Sequence, residues 1–262
     1  MNTKKGASLS AAAARIIRII IYCIFIGYSI IQVYNASTFS ARITYVIIAI
    51  AAIAGTAYYE VLQYNYEKAI YFLNYKCDPE AASAVYDHLQ KLDFAGGFRS
   101  RRVIFDVLTD LSLYRAEEAV QLIENNDKIF RGTLDQLLIR NVSLFLAYVY
   151  AGNRSAARRA YPEAVKLKKV KIRGRKLAAL YNWDELEALH YLVENDWRKA
   201  AASYRSVKPQ YMNNRELSQY YYYYAVCMKQ SGNMSEAEDL IQKLYTIAGK
   251  LPVKEKAEAL LR

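Results

Sequence analysis

The chain has 262 residues, 25 of them tyrosine, with only 4 prolines and 10 glycines and a formal net charge of +11. So few helix breakers in so long a chain argue for helices over strands. The three cysteines, Cys23, Cys77 and Cys227, have neither disulfide-framework nor metal-ligand spacing, and His88 and His190 each stand alone. That excludes a disulfide scaffold and a His/Cys metal centre, and no cofactor is expected.

Residues 1–59 contain no Asp or Glu. Two apolar runs stand out there: IIRIIIYCIFIGYSIIQVY from Ile16 to Tyr34, and ITYVIIAIAAIAGTAYY from Ile43 to Tyr59. At about 1.5 Å per residue the first spans roughly 29 Å, close to the hydrocarbon thickness of a bilayer. Both runs are apolar on all sides, unlike the core-facing stripe of a soluble helix. They are expected to form a transmembrane helical hairpin. Lys4, Lys5 and Arg15 precede the first run, Arg18 lies within a turn of its start, and the link from Asn35 to Arg42 carries one cation. The positive-inside rule then puts both termini in the cytoplasm. The expected location is a cytoplasmic membrane of bacterial type, with residues 60–262 as a cytoplasmic domain.

Beyond the anchor the chain repeats. CDPEAASAVY from Cys77, YRAEEAVQLI from Tyr114, GNRSAARRAY from Gly152, NDWRKAAASY from Asn195 and GNMSEAEDLI from Gly232 align, at separations of 37, 38, 43 and 37 residues. Each opens on a turn residue, which is Gly or Asn in three copies and suits a helix C-terminus with positive φ. Asp78, Ser155 and Ser235 are candidate caps for the helix that follows. Five positions on comes alanine (Ala82, Ala119, Ala157, Ala200, Ala237), small enough for close helix approach. Four further on comes a bulky residue on the same face (Tyr86, Ile123, Tyr161, Tyr204, Ile241). Upstream of each turn lies another apolar-periodic helix: Tyr59 to Lys76, Arg102 to Leu113, Leu138 to Ala151, Leu177 to Glu194, and Arg215 to Gln230. The last stretch, VKEKAEALLR from Val253, reads as an amphipathic capping helix. The expected fold is all-α: a helical hairpin, then an α-solenoid of about five helix-turn-helix units.

On these residues the chain resembles the tetratricopeptide repeat family. That family's second helix carries alanine and then an aromatic, as in Ala157/Tyr161 and Ala200/Tyr204. Its first helix carries a small residue and an aromatic three positions on, matched by Ala188 and Tyr191. The fifth unit keeps Ala225 but has Met228, the third has Phe145 in the small position, and the first two match only in their second helices. Spacings above 34 fit a related helical-repeat solenoid equally. The resemblance implies a partner peptide in a groove lined by first helices. Carrying the register over marks Arg101 in the second unit, Asn182 and Glu185 in the fourth, and Gln219, Tyr222 and Lys229 in the fifth. Val142, Leu146 and Val149 make the third unit's share apolar.

The charge is local. Arg154 to Lys176 holds ten cations and one acid. Arg158, Arg159, Lys166, Lys168, Lys169, Lys171, Arg173, Arg175 and Lys176 are candidate contacts for an anionic surface. The inner leaflet is the nearest. A nucleic acid is less favoured, because aromatics do not interleave with the basic residues. Tyr220 to Tyr224, five in a row, must point all round a helix, so some pack inside and some face outward. No phosphate-loop, HExxH, CxxC or GxSxG pattern occurs, and Glu117/Glu118 and Asp184/Glu185/Glu187 read as solvent-facing acids. The expected function is non-enzymatic: a membrane-tethered scaffold for a protein or peptide. The alternatives are a structural subunit of a membrane complex, or a binder of nucleic acid or anionic lipid.

Overall fold

A computed structural model describes the backbone of residues 2–172, 175, 176 and 180–262, and their side chains except at 2–12, 14, 15, 18, 19, 169, 171, 172, 175 and 176. The chain is all-α, with thirteen α-helices among these residues. The one departure is a two-residue antiparallel ladder, β1 (Lys171–Ile172) with β2 (Arg175–Lys176). The chain divides into two compact units, Met1–Asn65 and Tyr66–Arg262.

The first unit holds α1 (Asn2–Asn35) and the N-terminal part of α2 (Phe39–Tyr71). Few residues link them, so the link must find its own hydrogen bonds. Arg42 Nε donates to the Ala36 carbonyl at 3.2 Å, and Ala41 N–H donates to Thr38 Oγ1 at 3.2 Å. Tyr22 Oη donates to Glu60 Oε1 at 3.0 Å, pairing the two helices through the first acid in the chain. Their aliphatic side chains, such as Ile24, Ile30, Ile47 and Ile50, point outward and are exposed. Among the described residues one helix, Phe39–Lys76, is long and apolar enough to cross a membrane; Ile20–Asn35 is apolar over a shorter length.

The second unit starts with the end of α2, which runs on as one π-helical turn, Phe72–Lys76. There follow α3 (Pro79–Leu92), α4 (Arg99–Ser112), α5 (Ala116–Asn125), α6 (Asp127–Phe130), α7 (Leu134–Tyr150), α8 (Arg154–Lys166), α9 (Trp183–Val193), α10 (Trp197–Ser206), α11 (Asn214–Gln230), α12 (Met234–Ile247) and α13 (Val253–Leu261). Helices pack as sequential pairs: the π turn with α3, α4 with α5, α7 with α8, α9 with α10, and α11 with α12. α9 begins later than the apolar period suggests, because Asn182 caps it: its Oδ1 accepts from the N–H groups of Asp184 and Glu185.

One turn joins every pair. Cys77, Tyr114, Gly152, Asn195 and Gly232 all take positive φ, between 52° and 79°. In four of them the N–H of the next residue bonds back to the carbonyl five residues earlier: Arg115 to Asp110, Asn153 to Tyr148, Asp196 to Tyr191, and Asn233 to Met228, at 2.8–2.9 Å. This is the Schellman closure, which satisfies the helix's orphan carbonyls. At the first turn the π-helical residue widens the loop by one, and Asp78 N–H reaches Phe72 at 3.0 Å. The residue after the turn then caps the second helix. Asp78, Asn153, Asp196 and Asn233 each accept from the N–H three residues on, at 3.1–3.3 Å. Asp78 is the cap expected from sequence. Ser155 and Ser235 are not, since the cap follows directly on the positive-φ residue and both serines lie one helical step inside. Arg115 supplies no side-chain cap.

The five repeat alanines, Ala82, Ala119, Ala157, Ala200 and Ala237, are all 0% exposed. Tyr86, Ile123, Tyr204 and Ile241 are fully buried beside them. Tyr161 is half-buried and stacks on the His190 ring, centroids 4.0 Å apart and 5° from parallel. His190 therefore belongs to the packing between α8 and α9. The tyrosine run divides as the helix turns. Tyr220 and Tyr224 face Tyr204, whereas Tyr223 stacks on Tyr150 at 5.5 Å.

The second unit also closes on itself. Asn214 Nδ2 donates to the Tyr75 carbonyl at 2.7 Å, and Arg215 Nε to Asn74 Oδ1 at 2.9 Å. Lys250 N–H donates to the Cys77 carbonyl at 2.8 Å, and its Nζ pairs with Asp78 at 2.7 Å. The turn of the first pair is thus seated on the last pair. Cys77 is buried in the same core cluster as Leu251 and Val253, and this burial pushes its thiol up to about 11. The expected capping helix is α13, which packs on α11 and α12 and brings Lys256 over the Tyr114 ring at 4.4 Å.

Candidate functional site

The second unit holds an open-mouthed cavity of about 620 Å³. Its walls come from the first helices of successive pairs. α4 gives Leu108 and Leu111, α7 gives Leu146 and Tyr150, α9 gives Trp183 to Leu186, and α11 gives Arg215, Glu216 and Gln219. Leu180 to Asn182, just before α9, and Tyr211 and Met212, just before α11, complete the lining with Lys168 and Lys208. An apolar floor with a few converging polar groups is the usual make-up of a binding pocket.

The polar groups differ in how far they are already engaged. Arg215 is held by Asn74 and, at 3.5 Å, by Glu216. Glu216 in turn closes a capping box with Asn213: the Glu216 N–H donates to Asn213 Oδ1 at 3.0 Å, and the Asn213 N–H to Glu216 Oε2 at 3.2 Å. Lys168 sits over the Trp183 ring at 5.7 Å. Gln219 is 5% exposed; its Oε1 accepts from Tyr114 Oη at 2.7 Å, and its Nε2 has no partner among the described residues. A buried amide N–H₂ with nothing to donate to costs free energy until a ligand or water meets it.

Glu185 is, with Asp184 and Lys208, among the least engaged. Among the described residues its carboxyl makes neither a hydrogen bond nor an ion pair within 4 Å. Desolvation, and then the Glu216 carboxylate, push it up to about 8, against the opposing pull of Arg215. At neutral pH it is therefore mainly protonated. Burial also raises the Tyr150 and Tyr181 hydroxyls, Tyr181 to about 12, so both stay neutral donors.

Of the six groove residues implied by the family resemblance, Asn182, Glu185 and Gln219 meet in this cavity. Asn182 brings only its N–H₂, because its oxygen caps α9. Arg101, Tyr222 and Lys229 lie outside the wall. Arg101 covers the rings of Phe98 at 4.7 Å and Tyr66 at 5.2 Å. Tyr222 meets Tyr223 edge-on at 5.0 Å, and Lys229 donates to the Leu260 carbonyl at the end of α13. Sequence reading missed Tyr150, Trp183, Arg215 and Glu216. Only Glu216 left a signal, the Asn213-x-x-Glu216 spacing of a capping box.

The basic stretch is partly spent within the fold. Arg158 pairs with Glu194 at 2.8 Å, Arg159 donates to Ser155 Oγ at 3.1 Å, and Lys166 pairs with Glu163. The side chains of Lys169, Lys171, Arg173, Arg175 and Lys176 lie outside the described residues. Among the described residues no group of three or more His, Cys, Asp or Glu is placed to hold a metal ion. The rings, amides and charged groups that converge on the cavity wall are suited to holding a ligand by shape, stacking and hydrogen bonds. No protein-family model, curated protein or solved structure matches the chain.

Proposed function

We propose that this chain is a membrane-tethered scaffold. Its N-terminal helices cross the bilayer as a two-span hairpin, and its tetratricopeptide-like repeats hold a segment of a partner protein in the cavity at the cytoplasmic face. The carrying observation is the meeting of Asn182, Glu185 and Gln219, from the first helices of two repeats, in one cavity where the buried Gln219 Nε2 has no partner among the described residues. The anchor draws support from the exposed aliphatic surface of α1 and α2 and from the absence of acids before Glu60. Two tests separate the parts. A photo-crosslinking amino acid at Tyr211, at the cavity, should capture a protein in intact cells, and one at the exposed Phe94 should not. Equal capture from both, or capture only from the hairpin, would sink the scaffold reading. In a Cys23→Ser background, a cysteine at Ser37 should react with an impermeant thiol reagent only from outside the cell; reaction only from the cytoplasm would reverse the topology.

A second reading makes the hairpin a subunit of a membrane complex. A Cβ added at Gly27 or Gly55 would meet nothing within 4 Å, so both leave room for close approach by another helix. Membrane proteins that co-purify in detergent and are lost on Gly27→Leu favour this reading.

A further inference from the structure

We propose that the cavity is built to receive a guanidinium, the side chain of an arginine in a partner segment, with the Glu185 carboxyl as its anchor. This rests on the reading of the cavity as a peptide site, and it names what that site selects.

The argument starts from which wall charges are free. Arg215 is committed to Asn74 and Glu216, and Lys168 lies against Trp183. Glu185 and its neighbour Asp184 have no such partner among the described residues, and the one other unpaired wall charge is Lys208, which is exposed to solvent. Glu185 is half-buried, so an occupant that covers the wall takes its carboxyl out of water and must pair it, which a cationic ligand does. Among cations a planar guanidinium fits best. It binds a carboxylate through two parallel N–H···O bonds, and its faces stack on aromatic rings. Tyr150, Tyr181, Trp183 and Tyr211 supply those rings. The unpartnered Nε2 of Gln219, itself nineteen-twentieths buried, stands at the same wall as a donor for a carbonyl of the segment.

Binding must then be linked to pH, and every charged neighbour bears on that. From α11, Glu216 holds the Glu185 proton on and Arg215 favours its loss. Tyr150 of α7, Tyr204 of α10 and Tyr220 of α11 feel the Glu185 charge but stay neutral through the working range, since burial raises all three. Tyr181 is likewise neutral, and Asp184, Lys168 and Lys208 line the same wall. Glu185 is thus the group that changes state near neutrality. A guanidinium that needs its carboxylate releases that proton, so affinity rises with pH and levels off above about 8.

The full chain in detergent micelles provides the test, in a Trp197→Phe background that leaves Trp183 as the sole tryptophan. The probes are three capped pentapeptides, Ala-Ala-X-Ala-Ala, with X as arginine, as its neutral isostere citrulline, or as glutamate. The arginine peptide should shift Trp183 emission saturably and bind at least about tenfold more tightly than the other two at pH 8. Its affinity should fall severalfold between pH 8 and pH 6.5. Glu185→Gln should remove both the preference and the pH dependence, and Glu185→Asp should keep part of each. Equal binding of citrulline, tightest binding of glutamate (an anionic occupant on Arg215), or an undiminished preference in Glu185→Gln would each overturn the proposal. With no response to the arginine peptide, the proposal fails alone if position 211 still captures a partner in cells, and fails together with the scaffold reading if it does not.

Discussion

Glu185 shows what a sequence can and cannot say about a side chain. Its helical register marks it for a groove, yet in a run of acids it reads as one more solvent-facing charge. Only the fold brings Glu216 and the apolar floor to it. The thermodynamic consequence has a definite sign. Its folded pKa, about 8, lies above the unfolded value, so between pH 5 and 8 the folded state binds more protons than the unfolded one. Stability therefore falls as pH rises through that window and is level beyond it. Glu185→Gln keeps the shape and removes the titration. Thermal unfolding should show it equal to the parent chain near pH 4, increasingly more stable up to pH 8, and steady above. A variant less stable than the parent at pH 8 would mean that the carboxylate has a stabilising partner. Gln219 carries the same lesson. Its partner, Tyr114, is 105 residues away, and no local pattern announces the bond.

The turns were far more readable, because their chemistry is local. The aligned positions Cys77, Tyr114, Gly152, Asn195 and Gly232 all adopt the left-handed backbone that three of them, as Gly or Asn, suggest. Cys77 and Tyr114 do so without a permissive side chain, held by what surrounds them. Tyr114 packs against Tyr150 with the rings tilted, centroids 5.1 Å apart, and donates to Gln219. The caps were half readable: the serines two residues on look equally apt until the Schellman bond fixes the preceding residue. Two substitutions separate backbone from cap. Gly232→Ala meets nothing sterically but forces positive φ on a side chain, so it should cost about 1 kcal/mol in chemical denaturation. Asp196→Ala should lower the denaturation midpoint by orphaning the Lys199 N–H. The alanines make a third case. Ala200→Leu adds three heavy atoms where nothing is exposed, and overpacking of this kind costs about 1–3 kcal/mol. A neutral Ala200→Leu would mean that α9 and α10 have slack.

A repeat period predicts contacts between neighbours and is silent about ends. The helical array was therefore readable as a sequence of pairs, whereas its closure was not: the bonds from Asn214 and Arg215 to Tyr75 and Asn74 span 139 and 141 residues. The cavity depends on that closure, because Asn74 holds Arg215 at the wall. Gly249 is the residue on which it turns. It has φ +49°, and a Cβ there would lie 2.8 Å from the Cys77 carbonyl oxygen and nearer still to that of Lys76. Neither backbone atom can yield as a flexible side chain would, so Gly249→Ala must push the first turn off the last pair. The Lys250 amide donates across this contact and reports on it directly. Hydrogen exchange should speed up at Lys250, and at Asp78, whose N–H belongs to the same turn, while Asn153 and Asp196 keep their protection in the turns of the third and fourth pairs. If exchange rises only near position 249, the first pair is held by other contacts. If it rises throughout, closure is what keeps all five pairs folded together, and ligand binding in the cavity should disappear with it.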